Sequence, residues 1–547
     1  MASLGTLAAR ASNGQAGPEA RFSSFVYRGH DAVFDTPLPA GHFRNPILTG
    51  FEPDPTLCRV GDDYYLVTSS FTYLPGLPIH HSRDLVNWRL IGHAITKPGP
   101  LRYAGLHVSR GLFAPALSHR DGRFYLMCTM VGGGGNFVIT ATNPAGPWSE
   151  PSFLPFEGID PSIFFDETDG SAWIVNNGAP EGTPRYDGHR AIWLQRFDPK
   201  TLTTTGPRRV LVDGGADPAT KPVWIEGPHL FRREGFIYLS AAEGGTSLDH
   251  RQVMFRSRSL QERFEPWSGN PILTQRDLDG AADGAITCTG HAQLVIGPDG
   301  RWWASFLACR PQPGSAGRFW LTGRETFLLP VTWTTDGWPV ILPRGRRVPM
   351  TVASPNGAQV LASEMSGNFE WRDDFGGAVL KPQWLALRGD GGARLVDGAL
   401  QLPARAERLD GLGQPAFLGR RVQHGRFDAA LTLPMPTAAG VAAGLSLFQS
   451  EKQHLLLTLR DGALRFDVCD KGAVRNVAQA AVSPEAGPIT LHLRCDGLRV
   501  HAAWSRADGP AQALGDGVSA ELVSVQAAGG GIHFTGAVIG PCAFTAA

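Results

Sequence analysis

The sequence predicts an all-β fold, namely a five-bladed β-propeller followed by a C-terminal β-sandwich. Two observations carry this prediction: a repeated strand–turn–strand pattern before residue 345, and short segments of alternating polarity after residue 369. Gly (67) and Pro (42) are abundant beside Trp (14) and Phe (29), as is typical of many short strands joined by turns. At 547 residues the chain is too long for a single hydrophobic core, so more than one domain is expected.

The repeat consists of five stretches with one design: a strand start, a short turn with Gly or Asp, and an aromatic-rich strand. The stretches begin at Asp54, Ala114, Asp160, Gly227 and His291, with spacings of 60, 46, 67 and 64 residues. Each turn predicts a hairpin, because Gly tolerates the positive φ of tight turns. A second strand pair follows most hairpins, which gives the four strands of a propeller blade. An array of β-sandwiches with accidental similarity is the alternative.

Changes in the repeat pattern and in periodicity along the sequence suggest the domain boundaries. We assign residues 1–40 to an N-terminal arm, 41–345 to the propeller, 346–368 to a linker without periodicity, and 369–547 to the sandwich. Residues 1–20 lack the apolar core of a signal peptide. The cellular address, secreted or periplasmic on one hand and cytoplasmic on the other, therefore stays open.

Composition argues against several classes of partner. The chain carries 50 Lys+Arg and 50 Asp+Glu and no basic stripe, so no nucleic-acid partner is expected. No apolar run approaches the roughly 18 residues of a membrane span, so no membrane partner is expected. Seven scattered cysteines without a CxxC pair indicate buried thiols rather than a disulfide framework or a zinc site. The segment GGGGN at 132–136 lacks the ending of a phosphate loop.

Acidic residues occupy the positions that a propeller would bring together. The first strands of the blades line the central axis, so the residues that open each repeat are expected to converge. Asp54, Asp160 and His291 hold such positions, and Glu226 immediately precedes Gly227. Hydrolysis of a glycoside with inversion needs a carboxylate base and a carboxylic acid about 6.5–9.5 Å apart. Asp54 is the candidate base and Glu226 the candidate acid, with Asp160 as a neighbouring charge that raises the pKa of Glu226.

Each of these residues also has a structural interpretation. Asp54 and Asp160 precede proline, as turn residues often do, and Glu226 in its apolar stretch is alternatively a satisfied structural glutamate. Arg324 is either a strand arginine paired with Glu325 or a pocket arginine that orients a carboxylate or a sugar hydroxyl.

At these residues the chain closely resembles glycoside hydrolase family 43, in particular its two-domain β-xylosidases and α-L-arabinofuranosidases. The resemblance runs from about residue 45 to the C-terminus. It is carried by the segments NPILTGFEPDPTLCRVGDDYYLVTSSF, GIDPSIFFDETDG, WIEGPHLF, GHAQLV and GRETFLLPVTW. It implies that Asp54 is the general base, Glu226 the general acid, and Asp160 the residue that modulates the pKa of the acid.

The resemblance also implies which residues contact the substrate. It places Phe71 on an aromatic wall around the terminal sugar, and His291 and Arg324 in the pocket. The late segment HFTGAVIG resembles the one by which the sandwich lends Phe534 to the pocket. Phe113 is either a core aromatic or a platform on which a sugar ring stacks.

The function implied by the resemblance is that of an inverting, exo-acting hydrolase that releases terminal pentoses from xylan- or arabinan-derived oligosaccharides. The sandwich would then be of the concanavalin A type, and a homo-oligomer is compatible with the sequence. No cofactor is required, although some family members hold a calcium ion (Ca2+) near the residue that corresponds to His291. The alternatives are a non-catalytic carbohydrate-binding propeller, or a relative that acts on another furanoside or pyranoside.

Two departures from the family pattern adjoin the expected pocket. Where relatives usually read W-A-P-D, this chain has Phe113, Ala114, Pro115 and Ala116. The motif of the acid has Gly227 where Ala is usual. The choice of sugar is therefore not implied by the resemblance alone.

Overall fold

A computed structural model describes residues 17–282, 284–435, 437–483, 487–506, 509–527 and 533–545. Residues 1–16 of the predicted arm lie outside this part of the chain. The described residues form an all-β protein, as the sequence predicts, and the helical segments among them are short 3-10 turns at Ala32–Phe34, Pro218–Thr220, Pro355–Gly357 and Ala520–Val523. No helix in the described ranges is long and apolar enough to cross a membrane.

Five antiparallel sheets follow one another between residues 56 and 330, and we number them in chain order. Sheet 1 contains Thr56–Val60, Asp63–Val67, Gly76–Ser82 and Arg89–Ile95. Sheet 2 contains Gly111–Arg120, Arg123–Val131, Gly135–Ala141 and Ser152–Phe153. Sheet 3 contains Ile159–Phe165, Ala172–Gly178, Ala191–Asp198 and Thr203–Asp213. Sheet 4 contains Glu226–Arg233, Phe236–Glu243, Arg251–Ser257, Glu265–Pro266 and Leu273–Thr274, and sheet 5 contains Thr287–Ile296, Trp302–Cys309 and Arg324–Pro330.

The first strands of the five sheets lie next to one another. The first strand of sheet 1 contacts the first strands of sheets 2 and 5, and that of sheet 3 contacts those of sheets 2 and 4. The first strands of sheets 4 and 5 are also in contact. Each sheet is therefore oriented with its first strand toward the same region, where the repeated residues lie.

Two larger sheets and a small one form the C-terminal part. One sheet contains Ser24–Gly29, Phe369–Asp373, Phe427–Leu433, Ile489–Cys495, Arg499–Arg506, Gln512–Ala513 and Val518–Ser519. The other contains Ala416–Phe417, Arg420–Arg421, Val441–Ser450, Gln453–Arg460, Ala463–Asp470, Ala473–Ala481 and Val538–Thr545. The small sheet contains Glu19–Phe22, Arg394–Val396 and Ala399–Pro403. Apolar side chains from the sheets share one core, which includes Leu431, Leu445, Leu457 and Leu491.

Three two-stranded pairs complete the described strands. They join His42–Arg44 to Thr351–Ala353, Tyr73–Leu74 to Ala386–Leu387, and Thr332–Trp333 to Pro339–Val340. The second of these pairs connects sheet 1 directly to the C-terminal part, so the two parts share backbone hydrogen bonds.

The N-terminal segment belongs to the C-terminal sheets in space. Glu19–Phe22 pairs with Ala399–Pro403, and Ser24–Gly29 pairs with strands on both of its sides. Phe22, Phe25 and Tyr27 are fully buried there, so the segment adds apolar side chains to the C-terminal core. The sequence predicts only an extended arm in this stretch, because its pairing partners lie 340 or more residues away and local sequence does not reveal them.

A buried ion network also connects the two parts. Arg310, at the end of sheet 5, donates to Glu325 at 2.5 and 2.9 Å and to Asp31 at 3.1 Å. The same guanidinium donates to the backbone oxygen of Gln423 at 3.2 Å. Because all three charged groups are buried and hydrogen-bonded, this network fixes the N-terminal segment and the C-terminal part against sheet 5.

All seven cysteines lie within the described ranges, where they are free and buried. This agrees with the expectation of buried thiols. Burial raises the pKa of Cys58, Cys495 and Cys542 to about 12, so these thiols are poor nucleophiles at neutral pH.

Candidate active site

One cavity of about 910 Å³ collects the residues that open the repeats. It is lined by every catalytic and substrate-binding candidate from the sequence, namely Asp54, Phe71, Phe113, Asp160, Glu226, His291, Arg324 and Phe534. These side chains come from sheets 1 to 5 and from the C-terminal part. Residues as far apart in the chain as 54 and 534 are thus neighbours in space.

The backbone at the repeated positions is left-handed in every sheet. The φ angles are 56° at Asp54, 32° at Ala114, 56° at Asp160, 58° at Gly227 and 52° at His291. Four of these residues carry a Cβ, so this conformation costs on the order of 1–3 kcal/mol at each position. In sheets 2 to 5 the pairing register also shifts near these positions, as at a β-bulge. Such irregularities re-aim a side chain, and here they accompany the side chains that line the cavity.

Asp54 is a buried carboxylate held in its ionised form. Ser69 Oγ donates to Asp54 Oδ2 at 2.5 Å, and Arg324 donates to Asp54 Oδ1 at 3.2 Å. His291 Nδ1 lies 3.7 Å from Asp54 Oδ1. Burial alone would raise the pKa of Asp54, but Arg324, His291 and the Ser69 hydrogen bond outweigh it and lower the pKa below its ordinary value. Asp54 is therefore suited to accept a proton from water.

The pKa of Glu226 is shifted in the opposite direction to that of Asp54. Burial raises its pKa well above the ordinary value, and the charges of Asp160 and Asp54 raise it further. Arg324 and Arg190 act in the opposite direction without reversing the shift. Glu226 therefore holds its proton more strongly than an ordinary glutamate and is suited to donate it.

Asp160 interacts electrostatically with both of these carboxyl groups. Its Oδ2 accepts a hydrogen bond from the backbone N–H of Gly227 at 3.1 Å, immediately after Glu226. Burial raises the pKa of Asp160, while the charge of His291 lowers it. Because Asp160 and Glu226 are close, ionisation of one opposes ionisation of the other.

Arg324 faces the cavity and not its sequence neighbour. Besides Asp54, its guanidinium donates to Thr246 Oγ1 at 2.9 Å and to the backbone oxygen of Phe534 at 3.3 Å. Glu325 is occupied by Arg310 on the other face of the strand. Successive residues of a strand point to opposite faces, which is why the adjacent pair does not form an ion pair.

Three phenyl rings form a wall beside the carboxylates. The rings of Phe71 and Phe534 are stacked with centroids 6.2 Å apart. Phe113 packs edge-on against both, at 5.4 Å from Phe71 and 5.5 Å from Phe534. The Arg324 guanidinium lies 5.2 Å from the Phe534 ring centroid, so the wall and the charged groups are continuous. Phe534 comes from the C-terminal part, which therefore contributes a side chain to the cavity.

Gly227 leaves space for the His291 ring that a larger residue would occupy. A Cβ at position 227 would lie 2.8 Å from Nε2 and 2.9 Å from Cε1 of His291. An alanine there would push against the imidazole ring. Glycine at position 227 thus allows the His291 ring to approach the backbone closely.

The side chains around His291 do not fit a calcium site. Calcium takes six to eight oxygen ligands. Of the two carboxylates that interact with the ring, Asp54 is already occupied by Arg324 and Ser69, and Asp160 accepts a hydrogen bond from the backbone N–H of Gly227. In the described part of the chain, no group of three or more His, Cys, Asp or Glu side chains is arranged to hold a metal ion.

Several cavity residues were not identified from the sequence. They are His107, Ser109, Arg110, Arg190, Trp224 and Thr246, among others. They lie outside the repeat-opening positions, in connections whose path depends on tertiary contacts. A repeat pattern selects equivalent positions on first strands, so it carries no signal for these residues.

The cavity combines a carboxyl group with a lowered pKa, a carboxyl group with a raised pKa and an aromatic wall. Paired carboxyl groups with divergent pKa values are the machinery of glycosidic bond hydrolysis, and aromatic rings stack on sugars. The site therefore defines a glycoside hydrolase.

Comparisons with known proteins agree. Residues 43–339 match the family model of Glycosyl hydrolases family 43. Residues 372–547 match the Beta xylosidase C-terminal Concanavalin A-like domain. The chain belongs to glycoside hydrolase family 43.

Individual relatives are similar over most of their lengths. A "Xylosidase/arabinosidase" of Butyrivibrio fibrisolvens is 38% identical over 434 residues, covering 78% of this chain and 81% of the relative. A "Non-reducing end alpha-L-arabinofuranosidase BoGH43B" of Bacteroides ovatus is 39% identical over 433 residues, covering 77% and 76%. A crystal structure of a GH43_12 protein retrieved from a capybara gut metagenome is 35% identical and covers 97% of this chain and 100% of its own, with a TM-score of 0.89.

Proposed function

We propose that this enzyme releases single terminal pentoses from oligosaccharides with inversion, as a β-1,4-xylosidase, an α-L-arabinofuranosidase, or both. The observation that carries the proposal is the pair of carboxyl groups with opposite pKa shifts, Asp54 and Glu226, in one aromatic-walled cavity. The names of the two curated relatives support pentose substrates. Cleavage at the end of the substrate chain is compatible with this pocket, because the C-terminal part contributes Phe534 to its lining.

The proposed mechanism is a single displacement. Glu226 protonates the glycosidic oxygen as the bond to the leaving group breaks. Asp54 takes a proton from a water molecule, which attacks the anomeric carbon from the opposite face. Arg324 and His291 favour the ionised form of Asp54, and burial together with the charge of Asp160 favours the protonated form of Glu226. Phe71, with its ring stacked against Phe534, offers an apolar face to the terminal sugar.

We also propose the architecture behind this site. The side-by-side first strands of five sheets support a five-bladed propeller over residues 41–345. A linker at 346–368 then leads into a sandwich of the concanavalin A type at 369–547, to which the N-terminal segment adds strands. In this arrangement the substrate enters at the end of the propeller that carries Asp54, Asp160 and Glu226.

The proposed substrate class is tested by measuring kcat/KM on 4-nitrophenyl β-D-xylopyranoside and 4-nitrophenyl α-L-arabinofuranoside side by side. Turnover of one or both is the expected result. The two sugars present similar hydroxyl patterns, so activity on both is compatible with one pocket. If neither is cleaved while another aryl furanoside or pyranoside is, the pentose assignment is wrong.

The pH profile of kcat/KM is expected to respond differently to Asp160→Asn and Arg324→Gln. Asp160 raises the pKa of Glu226, so its loss lowers that pKa and moves the basic limb to lower pH. Arg324 lowers the pKa of both Asp54 and Glu226, so its loss raises both pKa values and moves both limbs to higher pH. An unchanged basic limb in Asp160→Asn would contradict the assigned role of Asp160.

A further inference from the structure

The Arg190 guanidinium is stacked on the Trp224 indole ring in the cavity, and we call this pair the charged plate. The proposed mechanism assigns no role to either side chain. The Arg190 guanidinium carbon lies 4.0 Å from the centroid of the Trp224 ring, and both side chains line the cavity. Both are partly exposed. A guanidinium stacked on an indole is fixed in its plane while its N–H groups stay free to bind a ligand.

The backbone holds this plate in position. Trp224 has a positive φ of 52°, and its N–H donates to the backbone oxygen of Gly188 at 2.9 Å. The backbone oxygen of Arg190 accepts a hydrogen bond from Gly214 at 3.0 Å. A strained non-glycine residue that is tied down in this way is typical of a functional site.

The guanidinium of Arg190 is uncompensated. Within the described ranges no carboxylate pairs with it and no acceptor takes a hydrogen bond from its side chain. The exposed Arg110, which also lines the cavity, likewise lacks an acidic partner among the described residues. Arg324, by contrast, is paired with Asp54. Among the described residues, Arg110 and Arg190 thus add to the cavity lining two positive charges without a paired carboxylate, which favours an anion in its outer part.

Arg190 and Trp224 lie near Glu226, on the side where the proposed mechanism places the leaving group. Trp224 is two residues before Glu226, which protonates the leaving oxygen in the proposed mechanism, so the departing sugar lies beside Glu226. Burial and Asp160 dominate the raised pKa of Glu226, and Arg190 is close enough to act in the opposite direction. The phenyl wall comes instead from sheets 1 and 2 and the C-terminal part. The cavity volume of about 910 Å³ is near the upper end for ligand pockets, so it has room for more than one pentose.

We propose that Arg190, stacked on Trp224, binds a carboxylate on the leaving-group side, so that the enzyme prefers terminal pentoses linked to a sugar unit that carries a uronic acid. This inference rests on the proposed pentosidase function. A planar guanidinium recognises a carboxylate through two parallel hydrogen bonds, which a neutral sugar cannot reproduce. Arg190 is thus a specificity-determining residue.

The test compares two trisaccharides with xylobiose. In the first, a terminal β-1,4-xylose is linked to a xylose bearing α-1,2-glucuronic acid, and in the second the glucuronic acid is reduced to glucose. We expect kcat/KM for the acidic trisaccharide to exceed that of the neutral one by about tenfold, as for a charge-assisted hydrogen bond. The ratio should fall as salt is added, because the interaction is partly exposed.

Substitutions of Arg190 test whether this residue causes the preference for the acidic trisaccharide. Arg190→Met, which keeps an apolar contact with Trp224, should bring the ratio close to one, whereas Arg190→Lys should retain part of it. Arg233→Met is the matched control, because Arg233 stacks 3.9 Å from the Trp333 centroid and does not line the cavity. Its ratio should equal that of the wild type.

The outcomes separate this inference from the proposed function. Cleavage of xylobiose reports on the pentosidase activity, while the ratio between the acidic and the neutral trisaccharide reports on Arg190. A wild-type ratio of one or less would overturn the inference, and so would an undiminished ratio in Arg190→Met. If that variant does not fold, the wild-type ratio and its salt dependence still decide the question.

Discussion

Glu226→Gln is expected to lower kcat on xylobiose by about 10²–10⁴-fold, the usual contribution of general acid catalysis. The loss on 4-nitrophenyl β-D-xylopyranoside should be much smaller. The reason is that 4-nitrophenolate leaves without a proton, whereas a sugar hydroxyl must be protonated as it departs. Steady-state rates on both substrates for wild type and variant measure the difference.

Glu234→Gln provides the control for this experiment. Glu234 lies in the hairpin turn at the far end of the strand that begins with Glu226, and its side chain is 67% exposed. Its substitution makes the same change from carboxyl to amide without touching the cavity, so both rates should stay at the wild-type level. Equal losses on the two substrates in Glu226→Gln would mean that Glu226 does not act on the leaving group.

Asp54→Asn is expected to lower kcat by about 10²–10⁴-fold on both substrates alike. An amide cannot accept a proton from water, and this step is needed whatever the leaving group is. Asparagine is nearly the same size and tolerates the left-handed φ of 56° at this position. The loss therefore reports on the chemistry and not on the backbone.

Asp121→Asn is a matched control for Asp54→Asn. Asp121 has a similar left-handed φ of 51°, but its side chain is 88% exposed in a hairpin turn of sheet 2. Activity should be unchanged. A strongly leaving-group-dependent loss in Asp54→Asn would indicate that the roles of Asp54 and Glu226 are reversed.

The repeat was the part of the fold that could be predicted from sequence. Hairpin turns and aromatic strands mark local structure, so the all-β class and the positions of Asp54, Asp160 and His291 on equivalent strands follow from local signals. Local signals do not, however, specify which strands pair. The pairing of Ser24–Gly29 with strands 340 or more residues away depends on tertiary packing and was missed.

Site residues in local motifs could likewise be predicted from sequence, whereas those brought together by tertiary contacts could not. The carboxylates stand in recognisable motifs, and Phe534 was placed only by family resemblance. Arg190 and Trp224 meet across two connections whose approach depends on backbone hydrogen bonds to Gly188 and Gly214. The sequence likewise left Arg324 with two interpretations, and only the geometry shows that it points to Asp54 and not to Glu325.

The configuration of the first sugar released tests the central idea most directly, which is that an ionised Asp54 and a protonated Glu226 act together across one anomeric centre. Proton NMR during the first minutes of hydrolysis of a β-D-xyloside distinguishes the α anomer from the β anomer before they equilibrate. The single-displacement mechanism predicts α-xylose as the first product. Initial appearance of β-xylose would require a glycosyl-enzyme intermediate and would contradict the assignment of Asp54 as the base that activates water.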